Sequence, residues 1–374
     1  MNFTVSSTEL LNRLQSIGRV INTKSPLPIL ENFLLKLENE NLTITASDLE
    51  TTLTTTMPVK ESSGNITVAI SAKFLMDTLR EFAEQPLKFD INQDNLAIII
   101  KTEYGNYNFI GQNGDEFPAM PKLEEDINTI TVSANSLMNG LNKTSFATAD
   151  DDLRPTMTGI FFDIKQDGLT YVATDAHKLV RLTNKASKSQ AESSFILPKK
   201  PAAILRNIIA KENNDVEVNF DKKNIIFKLS EYLMICRQIE GRFPNYNGVI
   251  PQNNPFKIIV DRVLLLNALK RVSVFSNQGT GLVKLGFAAN EIQLSAQDID
   301  FSVSAEEKIT CQYDGDKINI GFKAPFLIDI LNNINSGDVI IELADPSRAG
   351  IILPLENEPD EELLMLLMPM LIND

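Results

Sequence analysis

The chain has 374 residues, 43% of them hydrophobic, enough to bury a large core in two or three domains and too apolar for a disordered polymer. A formal charge of −14 argues at first against a nucleic-acid partner, since duplex DNA is itself a dense polyanion. No apolar run reaches the ~18 residues that span a bilayer and no basic-then-apolar leader is visible, so the expectation is a cytoplasmic protein with no membrane partner.

In chain order, Phe3-Thr4-Val5-Ser6 reads as a strand running into Leu10, Leu11, Leu14 and Ile17, the spacing of an amphipathic helix with Ser6 as its N-cap. An alternating run from Leu34 to Leu37 follows, then a strand from Leu42 that ends in Ala46-Ser47-Asp48. After the turn signal Gly64-Asn65, Thr67 to Ile70 enters a second helix carrying Phe74, Leu75 and Leu79. The series then restarts. Ile130-Thr131-Val132-Ser133 leads to Leu137, Met138 and Leu141, Leu169 runs to Ala173-Thr174-Asp175, and Phe195 to Leu197 precedes Ile204, Leu205 and Ile208. It restarts once more with Ile258 to Asp261 before Leu265, Leu266 and Leu269, Ile292 to Ala296-Gln297-Asp298, and Ile318 to Ile320 before Phe326, Leu327, Ile330 and Leu331.

The three cap residues Ser6, Ser133 and Asp261 lie 127 and 128 positions apart, and Asp48, Asp175 and Asp298 lie 127 and 123 apart. Three classes of segment recurring in one order at one period predict three tandem α+β units, each with two helices on antiparallel strands. Boundaries are expected in the polar or Pro-bearing stretches at 122–128 and 251–255, giving units 1–125, 126–253 and 254–374.

Charge divides along the same lines. The helix windows 6–24, 71–85, 133–148, 197–214, 260–278 and 321–336 hold fourteen Lys and Arg against seven Asp and Glu, so the rest of the chain carries all of the negative excess. Such segregation allows a basic helical surface to meet phosphates without sequence readout while an acidic strand surface repels them.

Catalytic patterns are sparse. The single histidine, His177, sits in a strand-turn context that suits packing or hydrogen bonding, and P-loop, GxGxxG and GxSxG patterns are absent. Asp150-Asp151-Asp152 is the one dense carboxylate group. With His177 and a divalent ion it would support a metal-dependent phosphodiesterase, which stands as one alternative beside an acidic repeat scaffold that binds only proteins. Cys236 and Cys311 lack metal-ligand spacing and read as inert core residues. Neither a cofactor, a catalytic residue nor a bound metal is expected. At the end, Leu363 to Ile372 forms an apolar, Met-rich tail in which Pro369 breaks the strand ladder, and flexible Met side chains there suit a pocket for apolar peptides.

Over its full length the chain resembles the bacterial DNA polymerase III beta subunit, the DNA sliding clamp. The resemblance is carried by Leu27-Pro28-Ile29-Leu30, Ala173-Thr174-Asp175-Ala176-His177-Lys178-Leu179, Gly241-Arg242-Phe243-Pro244-Asn245-Tyr246 and Met368-Pro369-Met370. It implies a non-enzymatic processivity factor, a head-to-tail homodimer whose six like clamp units close a ring around duplex DNA. By resemblance, Lys24, Lys73, Arg80, Arg154, Lys199 and Lys200 face DNA. A peptide pocket maps onto Met157, Thr174, His177, Lys178, Leu179, Pro244, Val249, Phe326, Leu367, Met368, Pro369, Met370 and Leu371. It would dock the DNA polymerase III alpha subunit, the clamp loader, and other polymerases and repair proteins. Tyr107 and Phe109 of one copy would meet Val274 and Phe275 of the next. The chain departs from the family at Gly248, where a basic residue is frequent, and in the extension Leu371-Ile372-Asn373-Asp374.

Overall fold

A computed structural model describes residues 1–372 apart from 23, 125, 152 and 190. The extension at Asn373 and Asp374 and the third aspartate of the acidic cluster, Asp152, therefore lie outside the described residues.

The first sequence copy gives β1 (Asn2–Ser6), α1 (Ser7–Ile17), β2 (Asn32–Glu38), β3 (Asn41–Ser47), β4 (Thr51–Pro58), β5 (Lys60–Ser63), β6 (Ile66–Ser71), α2 (Ala72–Arg80), β7 (Pro86–Ile91), β8 (Ala97–Lys101), β9 (Asn106–Ile110) and β10 (Gln112–Asn113). The second gives β11 (Asn128–Ser133), α3 (Ala134–Thr144), β12 (Gly159–Lys165), β13 (Gly168–Thr174), β14 (Lys178–Asn184), β15 (Ser193–Pro198), α4 (Lys199–Ile209), β16 (Asp215–Phe220), β17 (Asn224–Lys228) and β18 (Tyr232–Arg237). The third gives β19 (Phe256–Asp261), α5 (Arg262–Ser273), β20 (Leu282–Ala288), β21 (Glu291–Asp298), β22 (Val303–Thr310), β23 (Ile318–Lys323), α6 (Ala324–Asn332), β24 (Asp338–Leu343), β25 (Gly350–Pro354) and β26 (Glu361–Leu367). Apart from β5 and β10, one order recurs three times: strand, helix, four strands, helix, three strands.

The chain forms two compact units, and they do not follow the copies. One unit, residues 1–135 with 200–238, holds a five-stranded sheet (β5-β1-β7-β8-β9) and a nine-stranded sheet (β10-β6-β2-β3-β4-β18-β17-β16-β11). The other, residues 136–199 with 239–374, holds an eight-stranded sheet (β15-β12-β13-β14-β26-β25-β24-β19) and a four-stranded one (β22-β21-β20-β23). The second copy is thus shared out, four of its strands extending the first copy's sheet through β4 and β18 and the other four extending the third copy's through β14 and β26.

Local chemistry explains the repeat. Ser6 Oγ accepts from Glu9 N at 3.1 Å and Asp261 Oδ1 from Leu264 N at 2.6 Å, so both cap residues satisfy first-turn amides. The periodic aspartates play one common role. Asp48, Asp175 and Asp298 each present Oδ1 to the amides two and three residues on, closing the tight turn after β3, β13 and β21. Hydroxyl pairs recur as well, with Thr43 to Thr56 at 3.1 Å matched by Thr170 to Thr183 at 3.0 Å. Gly140 on α3 is fixed by close approach, since a Cβ there would fall 2.4 Å from the fully buried ring of Tyr171.

The expectation for the cysteines holds for one of them. Cys236 is buried in β18, and burial pushes its thiol pKa well up. Cys311 is only half-buried and is not a core residue, because it lies one position beyond the end of β22, where the chain leaves the sheet.

Candidate peptide-docking site and cationic surface

The groove is built on the aspartate turn of the second copy. Asp175 Oδ1 accepts from the amides of His177 and Lys178 at 2.9 and 2.8 Å, and buried Thr174 Oγ1 donates to Lys178 O at 2.8 Å, which locks the turn between β13 and β14. His177 consequently stands exposed, its ring 6.0 Å from that of Phe326 on α6. Lys178 points inward, its Nζ 2.5 Å from Asp175 Oδ2 and 4.2 Å from the centroid of Phe326.

Under this turn lies an apolar floor. Leu179, Phe243, Tyr246, Ile250 and Leu366 belong to one buried cluster with Val172 and Ile196, and Phe161 stacks on Phe243 at 4.8 Å. Tyr246 donates its hydroxyl to Asp163 at 2.6 Å, and burial, reinforced by that carboxylate, pushes its pKa up to about 12. Met157 lies in the short 3₁₀ turn Pro155–Thr158, which abuts the segment around Gly241: a Cβ on Gly241 would sit 2.9 Å from Thr156 Cγ2. Half-buried Pro244 and exposed Val249 flank the floor, and Gly248, also exposed, adds no side chain to that rim.

The tail closes the opposite side. Leu367 is buried as the last residue of β26, paired with Lys178 across the ladder. Beyond it the backbone is tied at two points, Met368 N to His177 O at 2.9 Å and Met370 N to Gly321 O at 2.8 Å. Met368 is 44% exposed, whereas Pro369 and Met370 are half-buried. Leu371 lies apart from the His177 turn: it is exposed and, with Met370 and Ile372, lines an open cleft of about 490 Å³ shared with Lys317, Asn319 and Pro346. The cause is the tie to Gly321, after which the chain runs along β23 away from His177. A Cβ on Gly321 would lie 2.8 Å from the flexible end of Leu282 and 2.9 Å from Met370 O, so a side chain there must push on the tail's backbone. Gly321→Val is expected to speed hydrogen exchange of the Met370 amide by on the order of tenfold or more, with the amides that pair β23 to β20 unchanged.

Sequence reasoning missed Lys323. It ends β23 at the entrance to α6, and its Nζ sits 4.9 Å from the Phe326 centroid, a second ammonium on the same ring. The visible signal was a lysine three positions before an aromatic anchor; the convergence with Lys178 needs the tertiary fold.

The six expected DNA-facing cations are all at least partly exposed, and four are paired. Arg80 holds Asp77 at 2.8 Å, Arg154 holds Asp151 at 3.2 Å, Lys199 holds Asp150, and Lys200 holds Asp48 and donates to Val20 O at 3.0 Å. The hydrogen bond and charge of Lys199 keep the Asp150 carboxyl below the usual carboxylate range. Lys24 and Lys73 have no ion pair among the described residues. Asp150, Asp151 and Asp175 are each turned to a cation, and among the described residues no three His, Cys, Asp or Glu side chains converge on a metal-sized site. The phosphodiesterase reading gains nothing from this geometry.

Among the edge strands of the four sheets, β9 and β22 lie beside the expected joint residues. Tyr107 and Phe109 lie on β9, the edge of the five-stranded sheet, with Tyr107 packed edge-on against Phe82 at 4.9 Å. Val274, 78% exposed, and Phe275 follow α5, which packs on β22, the edge of the four-stranded sheet.

Three like repeats, each ordered as strand, helix, four strands, helix and three strands, with an apolar cluster between a turn and a tail, define a tandem-repeat clamp scaffold. Residues 1–121, 131–245 and 247–371 match the N-terminal, central and C-terminal domains of the DNA polymerase III beta subunit. The chain is 27% identical over 370 residues to the beta sliding clamp of Haemophilus influenzae, covering 99% of this chain and 100% of that one. It is 23% identical over 377 residues to that of Staphylococcus aureus, covering 99% of each. Among solved structures it is similar to the DnaN sliding clamp of Bartonella birtlesii, at 26% identity and a TM-score of 0.91, and to the beta subunit of Pseudomonas aeruginosa, at 24% and 0.94, each over 100% of both chains. The chain belongs to the DNA polymerase III beta subunit family and is a sliding clamp. Among the described residues, no helix is long and apolar enough to cross a membrane.

Proposed function

We propose that two copies of this chain join head to tail into a ring that encircles duplex DNA without reading its sequence and tethers the replicative polymerase in the bacterial cytoplasm. The observation that carries this reading is the threefold repeat, matched domain by domain to the beta subunit. In it, 1–125, 126–253 and 254–374 act as clamp units. Open β9 and β22 supply the joints, with Tyr107 and Phe109 meeting the partner's Val274 and Phe275, because an unpaired edge beside exposed apolar side chains is a template for another strand. Lys24, Lys73, Arg80, Arg154, Lys199 and Lys200 meet phosphates. The groove from His177 to Met370 docks short apolar peptides of the alpha subunit, the clamp loader, and other polymerases and repair proteins. The protein does no chemistry of its own and needs no cofactor; retention is topological.

Loaded onto nicked circular duplex, the dimer is expected to remain bound through a gel-filtration step and to be lost once the circle is cut. Equal retention on circular and linear DNA, or a monomeric mass by sedimentation, would overturn the reading.

A further inference from the structure

Matching places in the repeat, one in each compact unit, are filled differently. In the second copy α3 sends the buried side chain of Lys143 to the carbonyl of Asn333, just past the end of α6, with Nζ 2.9 Å from the oxygen. Only about 30 Å³ of space is left beside it. Burial lowers the pKa of that ammonium while the charges of Glu361 and Glu358 hold it up, so carboxylates and a helix C-terminus share one cation. The first copy has no such side chain. Helices α1 and α3 are each eleven residues long, and Ser16 stands where Lys143 does, next to last in its helix. Ile208 lies nine positions after the start of α4, as Asn333 does after the start of α6. With a short hydroxyl side chain in place of the lysine, the space opens to about 290 Å³, lined by Asn12, Ser16, Ile208, Ser230 and Tyr232.

Three carboxylates border this opening, those of Glu9, Glu212 and Glu231, against two cations, Arg13 and Lys211. Arg13 is already committed. Its side chain is 12% exposed, Nη1 donates to Thr55 Oγ1 at 3.0 Å, and Nη2 lies 2.9 Å from Glu231 and 3.7 Å from Glu9. Glu212 spends its oxygens on the amides of Asn213, Asn214 and Ser230. Glu9 and Glu231, both about half exposed, therefore share a single guanidinium beside the C-terminal end of α4, an end that itself favours cations.

We infer that this opening binds an aliphatic primary ammonium carried by a small linear diamine or polyamine, in the place that Lys143 fills from within the chain in the second copy. The ammonium is held by Glu9, Glu231 and the last carbonyls of α4, and the alkyl stem lies along Ile208 and Tyr232.

The test follows the amide chemical shifts of Ser230 and Tyr232 in the full-length chain as diaminopentane is added at low salt. Saturable binding of about millimolar affinity is expected, and none with the uncharged pentanediol. Glu231→Gln is expected to weaken diamine binding about fivefold. Ser16→Lys, which supplies the ammonium from α1 itself, should weaken it at least about tenfold while the native mass is kept. Without ligand, Ser16→Lys should melt about 2 °C above Ser16→Met, a side chain of similar reach and no charge, and added salt should shrink that lead. Absence of diamine binding, or equal shifts with diamine and diol, would overturn the assignment. So would diamine binding that survives Ser16→Lys, which would mark mere condensation of cations on a chain of net charge −14. A Ser16→Lys chain that melts no higher than Ser16→Met would equally refute a cavity that selects ammonium.

Discussion

Ending the chain after Leu367 is expected to weaken docking of apolar peptides by at least about a hundredfold while leaving the native mass and melting transition nearly unchanged. The cut falls where the structure divides its duties. Up to Leu367, β26 is laddered to β14 through seven residue pairs and to β25 through three, and its inward side chains are buried, so the sheet is complete without the tail. From Met368 onward, two amide-to-carbonyl bonds hold the backbone, which places Met368, Pro369 and Met370 beside the His177 turn and β23. Removing Met368, Pro369 and Met370 deletes three apolar contact surfaces. Each buried side chain of this size contributes roughly 1.5–3 kcal/mol, and even partial burial of three exceeds the ~2.8 kcal/mol that a hundredfold represents. Fluorescence anisotropy with a labelled apolar peptide measures the loss, and sedimentation checks that the native mass survives. Undiminished peptide affinity would mean that the tail is a bystander.

The repeat was legible because it is enforced locally. Ser6 and Asp261 recur because a helix start needs an acceptor, and Asp48, Asp175 and Asp298 because a tight turn needs its amides satisfied. Those demands are met within three residues of chain, so periodicity reports them directly. The motif around His177 and the tail at Met368 were legible for the same reason, each being one continuous segment. Partner choice between strands was not. Alternation identifies β14 and β26 as strands but cannot say that Lys178 to Asn184 pairs with Glu361 to Leu367, nor that β4 pairs with β18, so the sharing of the second copy between two units was invisible. The state of the cations was equally hidden. Counting Lys and Arg found a basic helical class, but Lys199 meets Asp150 across 49 residues and Lys200 meets Asp48 across 152. The same limit hid Lys323, whose meaning lies in the ring it shares with Lys178.

If the proposed cations meet phosphate, their pairings limit the strength of the grip on DNA, and relieving them is expected to tighten it. The triple substitution Asp77→Asn, Asp150→Asn, Asp151→Asn should raise affinity for linear duplex about tenfold at low salt and steepen the decline of log affinity with log salt by about two to three. Arg80 with Asp77, Arg154 with Asp151 and Lys199 with Asp150 are exposed pairs, all six side chains between 38% and 84% accessible. Exposed pairs of this kind are worth only about 0–1 kcal/mol, so a phosphate can displace the carboxylate, but each displacement cancels part of the gain and leaves a negative charge close to the DNA. Asparagine keeps the shape and removes that competitor. Asp48 is left intact, because its other oxygen closes the turn after β3 through the amides of Glu50 and Thr51 at 3.1 and 2.7 Å. An affinity and salt slope equal to those of the unaltered chain would show that these cations do not meet phosphate. If they do, the tighter variant should diffuse more slowly along DNA while remaining equally retained on a closed circle. On the proposed reading, retention by a ring asks nothing of affinity, so carboxylates that blunt each contact would leave the clamp free to slide.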